Sequence, residues 1–314
     1  MPRLPLSGKF RLTPGRPRGY EEPMLSSRLR VFALGLAALL SAAAPGFADS
    51  IITSDGIQRH YEIFRSNSAR GPRPAVFLLH GGGSTAAEMR RYTGFDDLAE
   101  QAGIVAVYPQ GTDRDWNAAA GTEDRFLLRL ADELAAMGLV DRRRVYVAGI
   151  SNGGIMALQM ACSHADRIAG IAVIAASLPT GFDCRPQRRL PVIFINGTAD
   201  CLIPFAAMAS GAGSNVVSVQ ESLAVFARLE ACRARYSRLL PAPAPPDGTR
   251  ATVYDYGGCA PGGALESIAI SGGTHAWPNA RPDVTLPSIQ TPPSRAVDAN
   301  AEIWRFFARH PPPP

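Results

Sequence analysis

Three side chains in this chain are of the types that turn a hydroxyl into a nucleophile for a carbonyl carbon: Ser151, Asp200 and His275. A serine hydroxyl attacks only when an imidazole takes its proton, and the imidazole needs a carboxylate to fix its tautomer. Ser151 lies in Gly149-Ile150-Ser151-Asn152-Gly153, a G-x-S-x-G pattern between the apolar runs 145–148 and 155–162. Strand, sharp turn and helix in that order present a serine hydroxyl at a helix N-terminus. A side chain at Gly149 or Gly153 would strike the neighbouring strand or helix. Ser151 itself is expected to be held in a strained backbone conformation.

Order along the chain sorts the partners. In this arrangement the serine comes first, then the acid, then the base. Of the five histidines, His60 and His80 precede the serine, and His310 lies in the tail. His164 falls just past the helix after the serine and is expected to be exposed. His275 alone follows a late strand, in the glycine-rich loop Ser271-Gly272-Gly273-Thr274. Asp166, Asp183, Asp200, Asp247 and Asp255 lie between serine and base, and only Asp200 follows an apolar strand at once. Sites of open parallel sheets form at the carboxyl ends of strands, where all three residues fall.

An attacked carbonyl also needs donors for the oxygen that becomes negative. His80-Gly81-Gly82-Gly83 follows an early apolar strand. The backbone N–H of Gly82 is expected to act there together with that of Asn152. Trp116, Asn117 and Trp277 are candidates for the walls of a substrate pocket.

The elements that must position these residues follow from periodicity. Continuous apolar runs at 74–80, 104–108, 145–148, 168–175 and 190–195 read as buried strands, with further strands at 58–64, 251–256 and 265–270. Helical spacing covers 84–102 (capped by Ser84 or Thr85), 124–137, 155–162, 219–232 and 296–308; in the last, Ile303, Trp304 and Phe307 are expected to point inward. Loops at 110–123, 176–189 and 203–216 would set pocket depth. Strands alternating with helices imply a mostly parallel sheet covered on both faces, as one domain of α/β-hydrolase type. Nothing reads as a lid or an appended binding domain.

With 314 residues, 46% hydrophobic and 19% charged, the chain can bury a large core. Its net charge of +5 is localised. Residues 1–48 carry seven Lys/Arg and two acids, which leaves 32 − 7 = 25 basic and 27 − 2 = 25 acidic residues elsewhere. No nucleic-acid partner is therefore inferred. Those residues read as a secretory leader, with Arg28 and Arg30 before the apolar stretch 31–44, a small-x-small site at Gly46-Phe47-Ala48, and Asp49 as the expected mature start. Met24 is a candidate initiator. The apolar stretch is short for a membrane span, so no stable membrane insertion is expected after cleavage. The mature domain is then 49–314, in the extracellular space or periplasm. Five cysteines in an oxidising compartment suggest two bridges and one free thiol. No Cys/His spacing suggests a metal, and no cofactor is expected.

The segments LLHGGGSTAAEM, VAVYPQG with WN, RVYVAGISNGGIMALQMAC, VIFINGTAD, GGTHAWP and DANAEIWRFF occur in that order. Together they resemble secreted esterases of the poly(3-hydroxybutyrate) depolymerase and feruloyl esterase (LpqC-like) group, over most of residues 52–309. The resemblance implies the triad Ser151, Asp200 and His275, an oxyanion segment at Gly81-Gly82, and the disulfides Cys162–Cys184 and Cys232–Cys259. This chain has Gly82 where that group usually has a cysteine, and Cys201 where it usually has proline after the acid. Cys201 is thus the expected free thiol. Enzymes acting on solid polyester generally carry a surface-binding module. Its absence favours soluble substrates: hydroxycinnamoyl or acetyl esters of plant sugars, or hydroxyalkanoate oligomers. A peptidase on the same scaffold and a non-catalytic envelope binding protein are the competing readings.

Overall fold

The computed structural model describes residues 50–66, 70–117, 121–206, 215–240, 246–287 and 292–312. The leader, its cleavage site and Met24 lie outside the described residues, as do parts of the loops at 110–123 and 203–216. All described residues belong to one unit, Gly46–Pro314.

The ten strands among the described residues are β1 (Ser50–Ser54), β2 (Ile57–Arg65), β3 (Arg73–Leu79), β4 (Val105–Pro109), β5 (Val140–Ile150), β6 (Gly170–Ile174), β7 (Pro191–Gly197), β8 (Ala234–Leu239), β9 (Arg250–Gly257) and β10 (Ala264–Ser271). They form one sheet in the order β1-β2-β4-β3-β5-β6-β7-β10-β9-β8. From β4 to β10 neighbouring strands are parallel. The outer pairs at each edge are antiparallel. This is the expected α/β-hydrolase architecture.

Among the described residues six α-helices flank the sheet: α1 (Ala86–Thr93), α2 (Phe95–Ala102), α3 (Thr122–Ala136), α4 (Asn152–Ser163), α5 (Val219–Leu229) and α6 (Ala299–Arg309). The central strands are apolar along most of their buried length, as in 75–79 of β3, 145–150 of β5 and 170–174 of β6, because each face has its own core. Phe77, Leu79, Val145 and Val147 join Phe126, Met156 and Phe226 from α3, α4 and α5 on one face. Val76, Leu78, Tyr146 and Ile150 join Met89, Phe95 and Phe307 from α1, α2 and α6 on the other. Alternate residues of one strand therefore supply two hydrophobic layers.

Several boundaries differ from expectation. The segment read as one helix over 84–102 breaks at Gly94, whose φ of 59° ends α1 in a left-handed cap. Thr85 is the N-cap, in a capping box with Glu88. The last helix begins at Ala299, capped by Asp298, and not at 296. Within it Ile303 and Phe307 are buried as expected, and Phe306 is buried with them. Trp304 is only half-buried and meets Tyr146 edge-on. Two strands, β1 and β8, were not anticipated; both lie at sheet edges with much of their surface exposed.

Candidate active site

Ser151 follows β5 directly and stands at the N-cap of α4 with φ 55° and ψ −122°, a conformation that side chains rarely adopt. Two glycines enforce it. A Cβ on Gly149 would lie 2.2 Å from the carbonyl oxygen of Gly153. One on Gly153 would lie 2.4 Å from the carbonyl oxygen of Leu79, in β3. The Ser151 N–H is tied to Ile174 O of β6 at 3.0 Å. Its side chain makes no capping hydrogen bond, and the residue is half-buried, so solvent reaches it.

Asp200 and His275 follow the neighbouring parallel strands β7 and β10. Their two loops approach backbone to backbone: a Cβ on Gly197 would lie 2.1 Å from Gly273 O. Thr198 N–H donates to Ile270 O (2.9 Å) and Ala199 N–H to Gly273 O (2.8 Å). That zipper brings His275 Nδ1 to 2.8 Å from Asp200 Oδ2. The other carboxylate oxygen accepts the N–H groups of Leu202 (2.8 Å) and Ile203 (2.9 Å). A carboxylate only accepts, so Nδ1 of His275 carries the proton and Nε2 is left as the basic nitrogen. Ser151, Asp200 and His275 thus share the carboxyl end of the sheet.

Asn152 is the first residue of α4, where a backbone N–H has no intrahelical acceptor. Gly82 packs beside it: a Cβ on Gly82 would lie 3.7 Å from Asn152 Cβ and 3.5 Å from Asp115 Oδ1. Gly83, with φ 75°, spends its N–H on Arg114 O at 2.8 Å. Neither the Gly82 N–H nor the Asn152 N–H has a hydrogen-bond partner among the described residues.

Two of the three pocket candidates are buried. Trp277 is fully buried and does not line the site. Its indole N–H donates to Asn300 Oδ1 (2.9 Å) in α6 and its backbone N–H to the Tyr92 hydroxyl (3.2 Å), which anchors the His275 loop. Trp116 is 3% exposed, a core residue whose indole N–H donates to His80 O at 2.9 Å. Asn117 is exposed. Asp115, which the sequence reading passed over, is exposed beside Gly82. Its only sequence signal was its place in the Asp115-Trp116-Asn117 run.

The remaining histidines have structural partners. His80 is buried, and burial lowers its pKa. Its Nε2 accepts the Gly111 N–H at 3.0 Å, as befits a neutral ring. His164 is not the exposed histidine expected: it is half-buried and meets Asp124 Oδ2 of α3 at 2.7 Å. Disulfides join Cys162 to Cys184 and Cys232 to Cys259, and Cys201 is a free, exposed thiol. Among the described residues no group of three or more His, Cys, Asp or Glu is placed to hold a metal ion. No helix among them is long and apolar enough to cross a membrane.

Comparison with known proteins agrees with this architecture. The putative esterase NocK of Nocardia uniformis subsp. tsuyamanensis is 31% identical over 246 residues, which cover 71% of this chain and 72% of that protein. Feruloyl esterase D of Neurospora crassa is 24% identical, over 91% of this chain and 98% of its own length. The solved acetyl xylan esterase from Aspergillus awamori superposes with a TM-score of 0.54 at 13% identity, covering 73% of this chain and 94% of that one, a likeness of fold alone. No family model matches the chain. The chain belongs to the esterase family of NocK, related to feruloyl esterases, acetylxylan esterase and poly(3-hydroxybutyrate) depolymerase, and is a carboxylic ester hydrolase.

Proposed function

We propose that the chain is a secreted serine esterase acting through an acyl-enzyme. Its substrates would be hydroxycinnamoyl or acetyl esters of plant polysaccharides, or hydroxyalkanoate esters. The observation that carries the mechanism is the strained Ser151 at φ 55°, on the same sheet end as a buried His275–Asp200 pair.

In this reading His275 Nε2 removes the Ser151 proton as Oγ bonds to the ester carbonyl carbon. The carbonyl π electrons move onto oxygen, which the N–H groups of Gly82 and Asn152 and the positive end of α4 receive. Collapse of that adduct breaks the ester C–O bond, and His275 gives its proton to the leaving alkoxide. Water, deprotonated by the same nitrogen, releases the acid and restores Ser151. Asp200 keeps Nδ1 protonated and stabilises the imidazolium throughout. The catalytic domain begins near Asp49, after removal of residues 1–48. The two disulfides suit an oxidising compartment.

The substrate class rests on what the relatives are named for: feruloyl esters, acetylxylan and poly(3-hydroxybutyrate). Purified 49–314 and its Ser151→Ala variant would be assayed on methyl ferulate, p-nitrophenyl acetate and butyrate, a hydroxybutyrate trimer and a polyester film. Ferulate or acetate turnover that vanishes in the variant supports the polysaccharide-ester reading. Trimer or film turnover without ferulate or acetate turnover moves the substrate to hydroxyalkanoates. Activity on none of them overturns the proposal.

A further inference from the structure

The segment that carries Gly82 is braced from within at Gly81, whose carbonyl oxygen accepts the Ser84 N–H (3.1 Å) and lies 2.9 Å from His80 Nδ1. Three consecutive glycines, 81–83, have no side chains with which to pack. Further bracing comes from the loop after β4. Gly83 N–H donates to Arg114 O (2.8 Å), Gly111 N–H to His80 Nε2 (3.0 Å), and the Trp116 indole N–H to His80 O (2.9 Å). The Trp116 and His80 rings lie 5.0 Å apart, centroid to centroid.

The same loop holds the second donor. Trp116 N–H donates to Asn152 Oδ1 at 2.7 Å, and Asn152 Nδ2 donates back to Trp116 O at 3.1 Å. The loop is itself closed and strained. Asp113 and Arg114 have φ of 52° and 64°, and a Cβ on Gly111 would lie 2.2 Å from Asp115 O. Strain of that kind persists only where surrounding contacts over-determine the backbone.

We infer that Trp116 is a positioning residue: its indole and its main chain bridge the two segments bearing the oxyanion donors and fix the separation of the Gly82 and Asn152 N–H groups. This rests on the proposed role of those two groups. One foot of the bridge is the indole bond to His80 O, and the other is the reciprocal pair with the Asn152 side chain. Donors fixed in advance aid the tetrahedral adduct more than the flat ester, so the bridge should act on kcat and leave KM almost unchanged.

The test is a double-mutant cycle on p-nitrophenyl acetate. Trp116→Phe removes the first foot and keeps a ring; Asn152→Ala removes the second and keeps the backbone N–H. Each single change is expected to lower kcat by about 10- to 100-fold, less than loss of a whole donor, with KM within about twofold. The double variant should be little worse than either single one, because both cut one bridge. Inhibition by a boronic acid, which forms a tetrahedral adduct on Ser151, should weaken in step with kcat. If Trp116→Phe does not fold, judged by its melting curve, Asn152→Ala and the boronate decide alone. Singles within twofold of the parent in kcat, losses confined to KM, or losses that multiply in the double variant would overturn the bridge. Ser151→Ala serves as a separate control: residual turnover in that variant overturns the functional reading instead.

Discussion

His275 Nδ1 lies 2.8 Å from Asp200 Oδ2, and the two side chains are 4% and 1% exposed. A carboxylate so enclosed can hold one imidazole tautomer without competition from water. Asp200→Asn keeps the shape but offers an amide, which can donate to Nδ1 and so favours the wrong tautomer. We expect kcat on p-nitrophenyl acetate to fall by about 10⁴-fold, with little change in melting temperature. A loss below tenfold would mean that another group orients His275.

Asp115 places a carboxylate 3.5 Å from where a Cβ on Gly82 would stand, at the rim of the donor pair. An anionic acyl group arriving there meets like charge. Asp115→Asn retains an acceptor for the Trp116 N–H. It should raise kcat/KM for a hemisuccinate ester relative to an acetate ester by about two- to fivefold, the worth of up to about 1 kcal/mol between close unit charges in water. The gain should shrink at high salt. An unchanged ratio at low salt would contradict it.

Glu230 is wholly buried at the end of α5, pressed against the backbone of Gly263. Burial is the main cause that pushes its pKa from 4.5 up to about 8, opposed by the Leu190 backbone and by Arg189 and Arg188. The native state thus keeps a proton that the unfolded chain releases above its lower pKa. Stability from this group is fully present below about 4.5, falls as pH rises, and levels off above about 8. Glu230→Gln cannot ionise. Its melting temperature should exceed the parent's at pH 9 by a margin that disappears in acid. Parallel melting curves across that range would refute the assignment.

The two disulfides close loops of 22 and 27 residues. Chain entropy assigns each about 3.5 kcal/mol, or roughly 7–14 °C of melting temperature in a domain of this size. Replacing either pair by alanine should produce a drop of that order under non-reducing conditions. Cys201→Ala should leave the melting temperature alone, because its thiol is exposed and unbridged.

What could be read from the residues, and what could not, divides along physical lines. Continuous apolar runs such as 74–80 marked the central strands, because burial on both faces favours apolar side chains. The strand–turn–helix setting of Ser151, and Asp200 and His275 directly after strands, were legible for the same reason. β8, with the sequence ARYSRL and most of its side chains exposed, carries no such signal. The break at Gly94 was hidden by helical spacing that continues on both sides of it. The tryptophans were misjudged because large aromatic rings serve cores and pockets alike, and only tertiary packing shows that Trp277 never reaches solvent. Asp115 gained meaning only when the fold brought its loop against Gly82.

The central claim is that Ser151 is the nucleophile. The most direct measurement is peptide mapping by mass spectrometry after reaction of the purified protein with a fluorophosphonate. The account predicts one phosphonyl adduct, on the peptide holding Ser151. Adduct formation and p-nitrophenyl acetate hydrolysis should disappear together in Ser151→Ala. An adduct on another residue, or a Ser151→Ala variant that still turns over ester, would contradict it.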